Sequence, residues 1–325
     1  MKKLKMLIGL VVGILVIAGC SNGNVSNQEI TKIGILQFID HNSLNKAQEG
    51  FVDGLEEAGY TDGENIEIEV LNAQGDQSNL QSMSEQLTNN NELVLGIATP
   101  TAQSLAMANQ NIPQLFTAVT DPVEAGLVDS LENPGGNITG TSDMADIESQ
   151  VNLLIEIADN PEVIGLIYSS SEVNSQIQVD QAVEIIESRG LDTNIQTVTS
   201  TNDVQQTLSN LATNSDAIYI PTDNVLSATA ATVGEIAKDN NVPIVPGSTD
   251  MVENGGLATL GIDYYNLGKQ TAKLAVSILE GEEPSNLPVE STEDFDLVIN
   301  EEMAEAIGIN SEIIRQAADS LERGK

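Results

Sequence analysis

The sequence is poor in the residues on which most catalytic chemistry depends. Its 325 residues hold one cysteine, one histidine and no tryptophan, and only 3% are aromatic. A single cysteine, Cys20, excludes an intramolecular disulfide. The one histidine, His41, lies in a polar loop and reads as a surface residue. With no second His or Cys beside it, no metal cluster is expected. HExxH and GxSxG motifs are absent, and the GGNITG stretch within Asn133–Gly140 lacks the spacing of a GxGxxG dinucleotide loop. The expectation is a protein without catalysis, cofactor or metal. Basic residues are also scarce: 12 Lys+Arg stand against 49 Asp+Glu, a formal net charge of −37. That balance argues against nucleic acid, whose phosphates need basic partners, and against an electrostatic membrane patch. The acids are dispersed, so no acidic tail is expected, and mutual repulsion keeps such a chain soluble. The composition suits salty or alkaline surroundings, where screening relieves that repulsion; a stability that stayed flat in added salt would count against this.

What the sequence does contain is an echo. Ile112–Pro122 (IPQLFTAVTDP) resembles Val242–Val252 (VPIVPGSTDMV): each is a short apolar run with an early proline and a Thr-Asp end. Lys32–Phe38 (KIGILQF) pairs with Val163–Ser169 (VIGLIYS), and Leu93–Thr101 (LVLGIATPT) with Ala217–Asn224 (AIYIPTDN). The three pairs recur in one order at an offset of roughly 120–130 residues, the mark of an internal repeat. Short apolar runs bounded by turn residues read as buried strands, and helical patterns between them imply parallel sheets. The prediction is an α/β fold of two Rossmann-like lobes, with polar strand ends facing a ligand at the carboxyl edge of each sheet.

Along the chain, residues 1–20 have a basic start (Lys2, Lys3, Lys5) and an apolar core from Met6 to Ala18, the layout of a secretory signal. The ending Ile17-Ala18-Gly19-Cys20 resembles a bacterial lipoprotein lipobox, which implies cleavage before Cys20 and lipidation of its thiol. Residues 21–30 are small and polar and read as a tether. Strands are expected over Thr31–Ile39, Asn65–Leu71, Leu93–Ala98 and Ile112–Ala118, with helices over Asn45–Ala58, Gln77–Leu87 and Thr101–Asn109. Asn133–Thr141 reads as the first crossing between lobes. A second set follows: helix Glu148–Ala158, strand Val163–Tyr168, helix Val173–Ser188, strand Asn194–Val198, helix Val204–Leu211, strand Asp216–Ile220, helix Val225–Asp239 and strand Pro243–Val245. Leu257–Asp263 would return to the first lobe, whose helix Leu267–Leu279 follows, and Pro284–Pro288 would form a third crossing before strand Phe295–Ile299. The lobes are then 31–138 plus 262–290, and 139–261 plus 291–325.

Several stretches match a known family. KIGILQF, EGFVDGLEEAGY, NAQGD, IATPTAQ, FTAVTDPVEAGLV, NPGGNITGTSD, IYSSSEVNS, AIYIPTDN and GIDYYNLGKQTAKLA resemble the substrate-binding proteins of ABC transporters, most of all the lipoproteins associated with tryptophan or tyrosine uptake. The resemblance runs from about Thr31 to Ile309. It implies a type I periplasmic-binding-protein-like fold with three hinge crossings, a small amino-acid ligand in the cleft, and permease and ATPase subunits as partners. It also implies an extracellular, lipid-anchored location, and a monomer is expected. His41-Asn42-Ser43 departs from the bulkier apolar or Pro-containing loop expected there. A lipid-anchored sensing receptor, or uptake of another small solute, are the alternatives.

Candidate ligand contacts follow from strand ends. Phe38, Phe116, Tyr168, Tyr219, Tyr264 and Tyr265 fall at or just beyond such ends and would wall an aromatic pocket, while Phe51 and Phe295 read as core. Ser169, Ser170, Ser171 and Asn174 precede or open a helix and would hold a carboxylate, with Thr99 and Thr101 as the matching start in the first lobe; all are equally helix caps. Asp223 is the first choice for a ligand amine. Gln37, Thr117, Thr222, Asp121, Asp250 and Asp263 complete the set.

Overall fold

A computed structural model describes residues 30–292 and 295–324. The signal segment, Cys20 and all but the last residue of the tether lie outside the described residues. The first lobe is built from β1 (Thr31–Gln37), α1 (Asn42–Glu57), β2 (Ile66–Asn72), α2 (Gln77–Asn90), β3 (Leu93–Ile97), α3 (Thr99–Ala108), β4 (Gln114–Val119) and β5 (Ile138–Ser142). The second contains α4 (Ile147–Ile157), β6 (Val163–Ser169), α5 (Val173–Ser188), β7 (Asp192–Val198), α6 (Thr201–Ala212) and β8 (Ala217–Ile220). It continues with α7 (Asn224–Ser227), α8 (Ala230–Asn240), β9 (Ile244–Pro246) and α9 (Thr249–Asn254). The chain ends with β10 (Ala258–Gly261), α10 (Tyr264–Leu279), β11 (Glu290–Ser291), β12 (Asp296–Ile299), α11 (Glu301–Ala306) and α12 (Ser311–Gly324).

The first sheet has the order β11-β5-β4-β3-β1-β2 and the second β7-β6-β8-β9, while β10 pairs with β12. Within both main sheets every pairing is parallel, and β10–β12 is antiparallel. The strands β2-β1-β3-β4 and β7-β6-β8-β9 therefore follow one order. The three echoing sequence pairs are β1 with β6, β3 with β8, and β4 with β9, so each occupies the same place in its own sheet.

Each lobe has an apolar core because its strands are covered on both faces. Ile33, Ile35, Leu95 and Ile97 are fully buried in the first lobe with Phe51 and Leu55 of α1, and Ile164, Leu166, Ile218 and Ile220 in the second with Val151 and Leu154 of α4. Burying one such side chain is worth about 1.5–3 kcal/mol. The helix α10 returns to the first lobe and lies directly on α1. A Cβ added at Gly50 would stand 2.0 Å from the Tyr265 carbonyl oxygen, and one at Gly268 2.0 Å from that of Ala47. Two glycines thus let the backbones touch and fix the crossing beside the cleft.

The first and third crossings sit later than the sequence suggests, and the second falls within the expected stretch. The predicted first crossing is itself a strand, β5, in the first sheet, so the chain leaves that lobe after Ser142 rather than after residue 138. A short extended run beside glycines does not reveal its sheet. The second crossing is Ile262–Asp263, after β10. The third follows β11, which still pairs with β5; the Pro284–Pro288 turn before it holds only a short 3-10 helix, Pro284–Asn286. The predicted helix Val225–Asp239 is two helices, broken at Ala228 and Thr229.

Candidate functional site

The carboxyl ends of the strands from both lobes meet in one cleft, and the lobes touch across it. His41, before α1, places its Nε2 3.1 Å from Asn224 Oδ1. Gln178 Nε2 of α5 donates to Thr120 Oγ1 at 3.3 Å. Lys46 of α1 pairs with Asp250 of α9 at 2.5 Å. These contacts define a closed arrangement. Between them lies a cavity lined by His41, Ser43 and Leu44 after β1, Ala118 and Thr120 at the end of β4, and Asp143 and Tyr264 at two crossings. The second lobe adds Asn174, Thr222, Asp223, Asn224, Ser227 and Ser248. The walls stand close together and leave only a small space between them.

The backbone is strained at two strand ends of the first lobe, and one of them, Ala118, lines this cavity. Ala98, at the end of β3, has φ 84° and ψ 155°, and Ala118 has φ 55°. Side chains other than glycine rarely adopt such angles, and each costs about 1–3 kcal/mol. At Ala118 the register between β4 and β5 also shifts. The turn aims Thr120 toward the second lobe.

The cavity lining is mostly polar, and much of it has no partner in the protein. His41 Nδ1, Ser43 Oγ, Asp143 Oδ1, Asn174 Oδ1, Thr222 Oγ1 and Ser248 Oγ are buried without hydrogen-bond geometry to any protein group. Buried polar atoms in proteins are nearly always paired, because an unpaired one costs about 1–3 kcal/mol; in this protein Thr99 Oγ1, Gln114 Oε1, Ser215 Oγ and the Asp250 carboxylate, which Lys46 neutralises, also lack a hydrogen bond away from the cavity. The six atoms on this cavity are three hydroxyls that donate or accept, two side-chain oxygens that accept, and one imidazole nitrogen.

Asp143 stands out among the acids. Its Oδ2 accepts from the Tyr264 hydroxyl at 2.7 Å, while Oδ1 is left over. Burial pushes its carboxyl above the usual range, opposed by the Tyr264 and Thr120 hydroxyls. Asp223, the expected amine partner, also lines the cavity, but both its oxygens are engaged. Oδ2 accepts from Ser169 N at 2.6 Å, and Oδ1 from Leu226 N at 2.9 Å as the cap of α7. Next to it Glu172 is pushed up to about 8, first by burial and then by the charge on Asp223.

The other expected contacts are distributed as follows. Asn174 and Thr222 line the cavity together with Asp223. Phe38, Phe116 and Tyr219 are buried in lobe cores, and Tyr168 packs on the second core. The aromatic wall is therefore absent at these residues; Tyr264 alone of the six aromatics faces the cavity, and the Tyr265 hydroxyl goes to Asp53. Phe51 is core as expected, and Phe295 is half-buried against both cores. Ser169 Oγ meets Ser171 Oγ, Ser170 Oγ donates to the Val198 carbonyl, and Ser171 faces a separate open groove along α2 and α3. This triplet does not reach the cavity. Thr101 caps backward onto the Ile97 and Ala98 carbonyls, and Thr99 is buried off the cavity. Thr117 joins Thr141 and Thr271 in a hydroxyl chain inside the first lobe. Gln37 donates to Asn45 Oδ1, and Asn45 to Asp40, which shapes the loop that carries His41. Asp121 accepts from Val123 N and Glu124 N, Asp263 caps α10 through Asn266 N, and Asp250 is held by Lys46.

His41, Ser43, Asp143, Asn224 and Ser248 were missed as a set. His41 is half-buried in the cleft rather than at the surface. The structure shows it at the N-cap of α1 without capping that helix, which leaves its side chain to reach Asn224 across the cleft. Asp143 was hidden because β5 was read as a crossing.

Two lobes of one strand order, three crossings and a small polar cavity between strand ends define a solute-binding protein of the type I periplasmic-binding-protein kind. Residues 32–321 match the family model described as ABC transporter substrate binding protein, and the chain belongs to that family. Among its relatives, the tyrosine-binding protein of Clostridioides difficile (strain R20291) is 38% identical over 317 residues, covering 94% of this chain and 92% of that protein. The structure of an ABC domain in complex with L-Trp from Streptococcus pneumonia is 41% identical, with a TM-score of 0.84 over 88% of this chain and 98% of that one. A ligand-free, open structure of a substrate binding protein with adhesive properties from Clostridium difficile is 40% identical, yet its TM-score is 0.66 over 86% of this chain and 96% of that one. At nearly the same identity, the chain superposes better on the L-Trp complex than on the ligand-free, open structure. The better superposition accords with the contacts the chain makes across its cleft.

Proposed function

We propose that this protein is the substrate-capturing component of an ABC importer and that its ligand is a single amino acid, tyrosine and tryptophan being the first candidates. The observation that carries the ligand class is the set of six unpartnered polar atoms. A zwitterion answers them in kind: its ammonium suits Asp143 Oδ1 and Asn174 Oδ1, and its carboxylate suits the hydroxyls of Ser43, Thr222 and Ser248. The aromatic preference draws on the relatives, which bind tyrosine or carry L-Trp, with Tyr264 and Leu44 as the apolar surfaces on offer here. Capture proceeds by closure of the lobes about the crossings, favoured by the ligand's greater affinity for the closed form. The closed protein then delivers its ligand to permease and ATPase subunits without altering it. Lipidation of Cys20 would hold a monomer on the outer face of the cell membrane, and the lipobox-like stretch and tether support this.

A thermal-shift panel of amino acids, small peptides, sugars and nucleosides tests the reading. A ligand at about a thousand times its dissociation constant adds roughly 4 kcal/mol to the folded state, so a true ligand gives a clear shift. Stabilisation by tyrosine or tryptophan alone is expected. Stabilisation by a sugar or nucleoside alone would overturn the amino-acid assignment.

A further inference from the structure

We infer that His41 is a specificity-determining residue of the cleft, its Nδ1 a fixed acceptor for a ligand N–H, held in that role by a Glu172–Asn224–His41 relay formed only when the lobes close. The inference rests on the proposal that an amino acid binds in this cleft. It begins with Glu172, which is buried and accepts the backbone N–H groups of Asn224 and Val225, each at 3.2 Å. It also accepts the side-chain amide of Asn224. The donor end of that amide is thereby engaged within the second lobe, and its oxygen is turned to His41 Nε2 across the cleft, 3.1 Å away. An amide oxygen can only accept, so Nε2 must carry the hydrogen. In the neutral ring, Nδ1 is then a bare acceptor. It is buried, has no partner in the protein, and lines the same cavity as Asp143 and Asn174. Three acceptors on that cavity, Nδ1 and the two side-chain oxygens, equal in number the three N–H groups of an ammonium.

Protonating the ring would reverse its meaning. Nδ1 would become a donor, and a positive ring would share a closed cavity with the ligand's ammonium. The surrounding charges do not prevent this alone. Asp40 in the same loop and Asp250 of α9 both favour the charged ring, but Lys46 already pairs with Asp250 and lies 3.7 Å from Glu253. Glu172 stands behind Asn224, and Asp223, Asp143 and Tyr264 share the cavity wall. Burial outweighs these attractions and holds His41 below its ordinary value of 6.5. When the lobes part, Asn224 and His41 separate and the ring meets solvent. The closed form prefers the neutral ring, so affinity is full above the ordinary value and falls as pH drops below it. The ammonium and carboxylate of a free amino acid keep their charges across that window, so the dependence belongs to the protein.

Calorimetry on the purified protein with L-tyrosine and L-tryptophan at pH 7.5 and 5.5, joined to nitrogen-15 NMR of its single imidazole, tests this. Affinity is expected to fall about tenfold at the lower pH, one unit below the ordinary value. The loaded protein is expected to show a neutral ring with hydrogen on Nε2. His41→Gln should bind more weakly at pH 7.5 and lose the pH dependence, which separates His41 from Glu172 and Asp223. Equal wild-type affinity at both pH values, or a loaded protein with hydrogen on Nδ1, overturns the inference and leaves the amino-acid site standing. Failure of every amino acid to bind at either pH overturns the proposed ligand class and the inference with it. Should His41→Gln not fold, the NMR titration of the unaltered protein decides alone.

Discussion

The interior of the second lobe and the interior of the cleft are both buried, yet they treat polar groups in opposite ways. Inside the lobe, Gln150 of α4 is fully engaged. Its Nε2 donates to the Leu260 carbonyl at 2.8 Å, and its Oε1 accepts from the Tyr219 hydroxyl at 2.9 Å. That network ties α4 to β8 and β10, and it stabilises one packing. In the cleft, six polar atoms are buried without a hydrogen bond of good geometry inside the protein, although the Thr120 hydroxyl acts on Asp143 and that of Thr222 on Tyr264. The difference separates structure from recognition. A satisfied polar group commits its hydrogen-bonding capacity to the fold, whereas the unsatisfied atoms on the cavity keep theirs available to a bound molecule.

The comparison can be broken by exchanging the two behaviours. The largest effect is expected at Asp143. Asp143→Asn should weaken amino-acid binding by about 2 kcal/mol, roughly thirtyfold, read by calorimetry. The ligand-free protein should melt no lower than before, because a buried carboxylate burdens the fold. A matching loss of stability would place Asp143 with Gln150 instead. Next comes the lobe. Tyr219→Phe strands Gln150 Oε1 and should cost about 1.5 kcal/mol in chemical denaturation while leaving affinity unchanged. Smaller still, Ala98→Gly relieves a positive φ in the first lobe's core and should raise stability by about 1 kcal/mol in chemical denaturation, with affinity unchanged. At the far end, Arg315→Ala breaks an exposed pair with Glu301 and should change stability by less than about 0.5 kcal/mol and affinity not at all.

Much of the fold was legible because the chain writes it twice. Apolar runs of strand length recur in order, and the sheets place β1 with β6, β3 with β8 and β4 with β9 in matching positions. The family itself was also legible, in stretches such as IATPTAQ and NPGGNITGTSD. The site was less so, for three physical reasons. Strands buried on both faces do not show which way a terminal aromatic points, so Phe38 and Phe116 at strand ends gave no warning that they turn inward. An aspartate after a strand has one composition and two fates. Asp121, Asp223 and Asp263 accept backbone N–H groups as caps, whereas Asp143 keeps an oxygen free, and only three-dimensional partners distinguish them. Finally, the cavity gathers side chains from loops as far apart as His41 and Tyr264, and each alone looks like an ordinary polar loop residue.

The most direct test of the central claim is a crystal structure of the protein grown with L-tyrosine or L-tryptophan. The account predicts the ammonium within hydrogen-bond distance of Asp143 Oδ1 and Asn174 Oδ1, with the carboxylate on the hydroxyls of Ser43, Thr222 or Ser248. An amino acid seated instead in the open groove between α2, α3 and Ser171, with the six cleft atoms making no contact to it, would contradict it.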